Sequence, residues 1–164
     1  RDSSQETVLA GVLVGEEGVV LEQVEGLHSF SFRVNPGLRF PLHTAAPGKI
    51  FLSQLEPKRR TSMIGKLKLA KFTSKTIISK EGLEEEIQKV LDLGYAIDYE
   101  EEIKGQACIG APVFGRNAKL AGSIWLVAPT SRLPKKKVPD VASMVMKSAD
   151  EISLALGNQF LRVA

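Results

Sequence analysis

A chain of 164 residues with 43% hydrophobic and 25% charged residues suits one folded domain with a sizeable core and is too ordinary in composition for a disordered segment. One cysteine excludes an internal disulfide, and a formal charge of +3 does not identify a nucleic-acid binder, because Lys58-Arg59-Arg60 and Lys135-Lys136-Lys137 read as solvated helix starts. No apolar run approaches the roughly 20 residues of a membrane span and no signal peptide is visible, so a cytoplasmic protein without membrane contact is expected.

Residues 7–14 (TVLAGVLV) and 19–25 (VVLEQVE) are β-rich runs joined by Gly15-Glu16-Glu17-Gly18, which predicts a hairpin with glycine where positive φ is needed. Residues 28–34 (HSFSFRV) alternate, Phe30 and Phe32 to one side and Ser29, Ser31 and Arg33 to the other. That pattern predicts a third strand or sheet edge, closed by Asn35-Pro36-Gly37. An extended segment then enters a helix with Thr44 as N-cap and Pro47 in the first turn, ending near Leu55. A short helix is expected over 57–66, followed by a basic connection over 68–78. From Ser79 the period is helical again, with Glu81, Glu84 and Glu85 early, Leu83, Ile87, Val90 and Leu91 on one face, and Gly94 as C-terminal cap. Residues 95–98 read as a short strand and Glu100-Glu101-Glu102 as a solvated connection. The segment 134–160 predicts a long C-terminal helix whose stripe of Val138, Val141, Val145, Ala149, Ile152, Leu156 and Phe160 needs the sheet or a second subunit to cover it.

Residues 107–115 and 120–128 flank Arg116-Asn117-Ala118-Lys119 and predict a central antiparallel hairpin. With Gly115 and Leu120 paired, Cys108 faces Val127 and Gly110 faces Trp125. One face then carries Cys108, Gly110, Pro112, Phe114, Ala121, Ser123, Trp125 and Val127. The other carries Ala107, Ile109, Ala111, Val113, Leu120, Gly122, Ile124 and Leu126 and is plain core. On the first face a glycine opposite an indole leaves room for the ring, while a thiol, a hydroxyl and a proline interrupt the hydrocarbon. This face is either the wall of a pocket or the second core layer of a covered sheet. The order β-β-β-α-α-α-β-β-β-α predicts a single α+β domain over 1–164.

Chemistry is scarce. Cys108 could pair with His28 or His43 as nucleophile and base, but no local signature surrounds it. No metal-ligand spacing and no phosphate-binding loop occur. No catalytic residue, metal or cofactor is expected, and the chain does not read as an enzyme.

Three ordered motifs, GLRFPLHTAAPGK at 37–49, GYAIDYEE at 94–101 and GQACIGAPVF at 105–114, with PTSRL at 129–133, carry a resemblance to the effector-binding domain of IclR-type (isocitrate lyase regulator) transcription factors over nearly the whole chain. The resemblance implies a GAF-like antiparallel sheet of about six strands flanked by helices, sensing a small metabolite and joining subunits as a homodimer or homotetramer. It also implies an N-terminal winged helix-turn-helix domain that binds operator DNA and lies outside these 164 residues, so that this chain alone binds no DNA. In similar proteins the ligand, often a small carboxylate, lies at positions that correspond to Ala46, Pro47, Gly48, Asp98, Cys108, Trp125 and Val127, with Gly110 on the same face. Here Pro47 removes an N–H, and Trp125 and Val127 stand where hydroxyl side chains are usual. Burying a carboxylate without matching donors is costly. The expectation is therefore a flatter, more apolar or aromatic ligand stacked on Trp125. Two alternatives stand beside it: an architectural domain whose pocket Trp125 fills, and a GAF-like thiol enzyme using Cys108, for which no second thiol is present.

Overall fold

Each strand of the first hairpin buries alternate residues. β1 (Thr7–Val14) and β2 (Glu17–Val24) pair from Val8↔Val24 to Val14↔Glu17, leaving Gly15, at φ +64°, and Glu16 as the turn. A two-residue loop of this kind needs positive φ, which glycine supplies without steric cost. The computed structural model describes residues 1–159, so the expected role of Phe160 lies outside the described residues.

The third strand is not where alternation placed it. Residues 28–34 form an irregular strap, and the strand β3 is Arg39–Phe40, paired with β2 through Gly18↔Phe40 and Val19↔Arg39. The strap docks through side chains: Thr7 Oγ1 donates to the Phe32 carbonyl at 2.9 Å, and the Val34 amide donates to Gln23 Oε1 at 2.6 Å. Such bonds compete with a ladder for the same backbone groups, and here they win.

α1 (Ala46–Ser53) begins one residue later than expected, at an Ala45 cap, with Pro47 in its first turn. Thr44 caps nothing, because its hydroxyl donates instead to Glu102 Oε2 at 3.0 Å. α2 (Pro57–Lys66) follows, then α3 (Lys80–Leu93), which Ser79 caps by accepting from the Gly82 amide and Gly94 ends at φ +78°. Leu83, Ile87 and Val90 are buried as expected, whereas Leu91 faces solvent.

β4 (Ala96–Tyr99), β5 (Gln106–Phe114) and β6 (Leu120–Pro129) complete a six-stranded antiparallel sheet in the order β3-β2-β1-β6-β5-β4. The expected register holds over Cys108↔Val127 and Gly110↔Trp125 and slips at the loop, where Phe114 rather than Gly115 pairs with Leu120. A one-residue slip turns a side chain to the opposite face. Leu120 accordingly packs beside Phe40 on the α1 side, not in the core face predicted for it.

A 3-10 turn over Lys135–Lys137 leads into α4 (Val138–Ala155). α4 buries Val138, Ala142, Val145, Ala149 and Ser153 against Ala107, Ile109, Ala111, Val113, Ile124, Leu126 and Ala128. Alanines on both sides let helix and sheet approach closely. The seam advances mostly by four residues, so Ile152 (40% exposed) and Leu156 (49% exposed) drift off it and Ser153 takes the buried place. Its hydroxyl accepts from the Phe114 amide at 2.9 Å and donates to the Ala149 carbonyl at 2.6 Å. The opposite face of the sheet is covered by α1, with α3 behind it. The result is the α+β architecture predicted, six strands between helices with a long helix last.

Candidate ligand cavity

On the α1 side the helix does not seal the sheet. A cavity of about 130 Å³ lies between the start of α1, the 28–34 strap, the loop after β4 and the floor of β1, β2, β5 and β6. Its walls are largely hydrocarbon and aromatic, from Leu9, Val20, Phe32, Val34, Phe40, Trp125 and Val127. Leu38 and Ile103, each about half exposed (52% and 51%), mark its solvent side.

The indole is held by its neighbours. Phe40 meets Trp125 edge to face at 5.5 Å between ring centres. The glycine that makes room for the ring is Gly11 on β1, where an added Cβ would lie 2.9 Å from the far edge of the indole. Gly110 sits under Trp125 Cβ, at 3.3 Å from where its own Cβ would be. Gly110 lies opposite Trp125 as expected but meets its Cβ, and the glycine against the indole ring is Gly11 on β1.

Six of the eight sequence-nominated residues line the cavity: Ala46, Pro47, Asp98, Cys108, Trp125 and Val127. Gly48 and Gly110 do not. Gly48 instead lets α1 press on the preceding segment, since a Cβ there would stand 2.5 Å from Leu42 Cα. The strap residues Phe32 and Val34, together with Phe40, Glu102 and Gln106, were not nominated. Alternation puts Phe32 on one side together with Phe30, which is 61% exposed, so the pattern does not single out Phe32.

The polar end of the cavity rests on a buried charge network. Asp98 is 1% exposed and pairs in register with Cys108 across β4–β5; its Oδ1 accepts from the Glu101 amide at 2.8 Å. Burial pushes Asp98 up to about 6, against the pull of the Glu101 amide and the Lys49 charge. Burial likewise pushes Glu101 up to about 7, although Lys49 attracts it and donates to it. Lys49 is fully buried in α1, its Nζ donating to Glu101 Oε1 at 2.5 Å and to the Ile97 carbonyl at 2.7 Å, with Glu86 Oε1 at 3.7 Å. Glu101 Oε2 has no hydrogen-bond partner among the described residues. The loop is pinned from outside by Thr76 Oγ1, which donates to the Glu101 carbonyl at 2.6 Å. The acidic run is therefore not a solvated connection. A lone lysine, Lys49, directly before the apolar run Ile50-Phe51-Leu52 of α1 was the signal in the sequence.

Burial pushes the Cys108 thiol well above its ordinary value, and Asp98 and Glu102 push it further. Neither histidine lines the cavity: His43 Nε2 lies 3.0 Å from the Ala70 carbonyl, and His28 Nε2 lies 3.5 Å from Glu6 Oε1. A neutral buried thiol without a base beside it is a poor nucleophile. Among the described residues no group of three or more His, Cys, Asp and Glu could hold a metal ion, and no helix is long and apolar enough to cross a membrane.

Comparison with known proteins agrees with this architecture. The chain is 30% identical over 158 residues to the transcriptional repressor IclR of Escherichia coli K12, an alignment covering 95% of this chain and 58% of that protein. Among solved structures it resembles the Thermotoga maritima IclR, with a TM-score of 0.89 and 28% identity over 95% of this chain and 63% of that one. It also resembles the PobR inducer-binding domain from Acinetobacter, solved as a double mutant with 3-hydroxybenzoic acid, with a TM-score of 0.82 and 25% identity over 93% of this chain and 90% of that one. The chain thus spans little more than half the length of the curated relatives it matches. The family description "Bacterial transcriptional regulator IclR C-terminal" matches residues 1–154, and the chain belongs to that IclR family of transcriptional regulators as an effector-binding C-terminal domain.

Proposed function

We propose that this domain senses a small, flat, largely apolar or aromatic molecule, held in the α1 cavity with its body against Trp125 and its polar end toward Asp98, Cys108 and the start of α1. The observation that carries this reading is the cavity itself, which stays open beside Trp125 instead of being filled by it. Its size is close to that of an engineered apolar cavity of about 150 Å³ that takes up one benzene. Ala46, Pro47, Asp98, Cys108, Trp125 and Val127 would touch the ligand, while Gly48 and Gly110 shape the wall from behind. The aromatic compound in the Acinetobacter relative supports the ligand class. Within a longer regulator, binding would bias a homodimer or homotetramer whose N-terminal winged helix-turn-helix domain contacts operator DNA in the cytoplasm.

A thermal-shift screen tests the reading. Ring compounds bearing neutral, acidic or basic groups are compared with pyruvate and glyoxylate. A ligand at a hundred times its dissociation constant adds about 2.7 kcal/mol, enough to move a domain of this size by several degrees. Ring compounds should shift the transition and the oxo acids should not. Shifts with pyruvate or glyoxylate alone would show the polar reading of this pocket to be the right one. Silence throughout, with new binding in Trp125→Ser, would make Trp125 a plug and the domain architectural.

A further inference from the structure

The charges around the cavity are the reverse of those a carboxylate needs. Its lining contains two carboxylates, Asp98 and Glu102, and no arginine, lysine or histidine. The nearby cation is already committed, since Lys49 Nζ donates to Glu101 and to the Ile97 carbonyl and does not line the cavity. The start of α1 offers little in return. Pro47 has no N–H, Gly48 is not part of the cavity lining, and the Ala45 amide donates to the Pro41 carbonyl at 3.4 Å. Only the Ala46 amide is left at the wall, with no hydrogen bond among the described residues. One amide dipole does not balance two carboxylates along a largely apolar wall.

The remaining lining fits a cation. Phe32, Phe40 and Trp125 bring three aromatic rings to the same cavity, and ring faces attract ammonium groups most strongly where water is excluded. The Asp98 carboxylate accepts from the Glu101 amide, and the Glu102 carboxylate accepts from Thr44. Each carboxylate, with about four acceptor sites, retains capacity for a further donor. The negative field also reaches the floor: Asp98 and Glu102 both disfavour the Cys108 thiolate, and the opposing influence of Lys49 is smaller than either.

We propose that the polar group this cavity recognises best is an ammonium on a flat apolar body, bound between the Asp98 and Glu102 carboxylates and the aromatic wall, in preference to a carboxylate on the same body. The inference rests on the reading of this cavity as the effector site. Charge-assisted hydrogen bonds to Asp98 and Glu102 fix the head group, and the aliphatic and aromatic wall selects the body.

Three probes of nearly equal shape test it: benzylamine, which is cationic at neutral pH, benzyl alcohol and benzoate. Trp125 is the sole tryptophan of the chain, so its fluorescence reports occupancy of the cavity directly. Benzylamine should bind about tenfold or more tightly than benzoate, with benzyl alcohol between them. Asp98→Asn, which keeps an acceptor for the Glu101 amide, should weaken benzylamine about tenfold while leaving benzyl alcohol within about twofold. Glu102→Gln should act in the same direction; a merely structural lesion would weaken both probes together. Equal affinities, or tighter binding of benzoate, overturn the inference and leave the cavity reading standing. No response to any of the three overturns the cavity reading and the inference with it.

Discussion

The two faces of the β5–β6 hairpin come from the same residues in alternation, yet they bury opposite kinds of material. Toward α4 the strands present Ala107, Ile109, Ala111, Val113, Ile124 and Leu126, and the helix packs on them through Val138, Ala142, Val145 and Ala149. Toward α1 they present Cys108, Trp125 and Val127 beside a buried lysine, two buried carboxylates and open space. The first face is organised for packing, and under the proposed function the second would serve selectivity. Unfilled volume and buried charge both cost folding free energy, and a domain tolerates them where another face supplies the packing.

The largest expected effect comes from breaking the charge network on the α1 side. Glu101→Ala leaves the Lys49 ammonium buried with one carbonyl and a distant Glu86, and should cost about 3–5 kcal/mol in urea unfolding. The paired change Lys49→Met with Glu101→Leu removes both charges and should recover most of that loss. If the double variant is no better than the single one, the network contributes through packing and not through charge.

On the α4 face, Ile109→Ala should cost about 2–5 kcal/mol by opening a cavity in a fully buried layer. Ligand-induced shifts should survive it. Loss of ligand response in a variant that still folds would mean that the faces are coupled and not separately organised.

Gly48→Ala sharpens the contrast at one atom. Alanine in a helix interior is ordinarily favoured over glycine by about 1 kcal/mol. Here the new methyl meets the Leu42 backbone at 2.5 Å, so the change should instead destabilise by about 1–3 kcal/mol. A neutral or stabilising result would show that α1 can slide outward on the sheet.

The smallest effect is the dependence on pH. Asp98 and Glu101 stand at about 6 and about 7 in the folded protein against ordinary values of 3.8 and 4.5. The folded state therefore holds more protons than the unfolded state between about pH 4 and pH 7, and stability falls as pH rises through that window. Melting temperature should be higher at pH 5 than at pH 7.5, and the difference should narrow in Asp98→Asn. An unchanged difference would place the titration at another raised group such as Glu101, since Glu100, held low by Lys75 and the Gly105 amide, acts with the opposite sign and cannot supply it.

Legibility followed distance along the chain. The α3 caps at Ser79 and Gly94 and the register of Cys108 with Val127 were readable because their partners lie within a turn or across one tight loop. The 28–34 strap was misread because alternation describes which side chains share a face of a strand and not what the backbone bonds to; without a strand, Phe32 lines the cavity while Phe30 is exposed. Leu120 was placed on the wrong face by one residue of loop geometry. Thr44 looks like a cap in isolation and is taken by Glu102, a partner 58 residues away. Glu101 looked solvated because acidic runs usually are.

Local chemistry in the sequence determined the element order, the central hairpin and the face that holds Cys108, Trp125 and Val127, since turn residues and side-chain alternation act between near neighbours. Tertiary structure alone decided that β1 pairs with β6, setting Leu9 opposite Trp125 and placing Gly11 beneath the indole. It likewise decided that Lys49 meets Glu101 and that the strap encloses a cavity instead of extending the sheet. These contacts join segments far apart in the chain, and their geometry depends on the packing of the whole sheet, which no local pattern encodes.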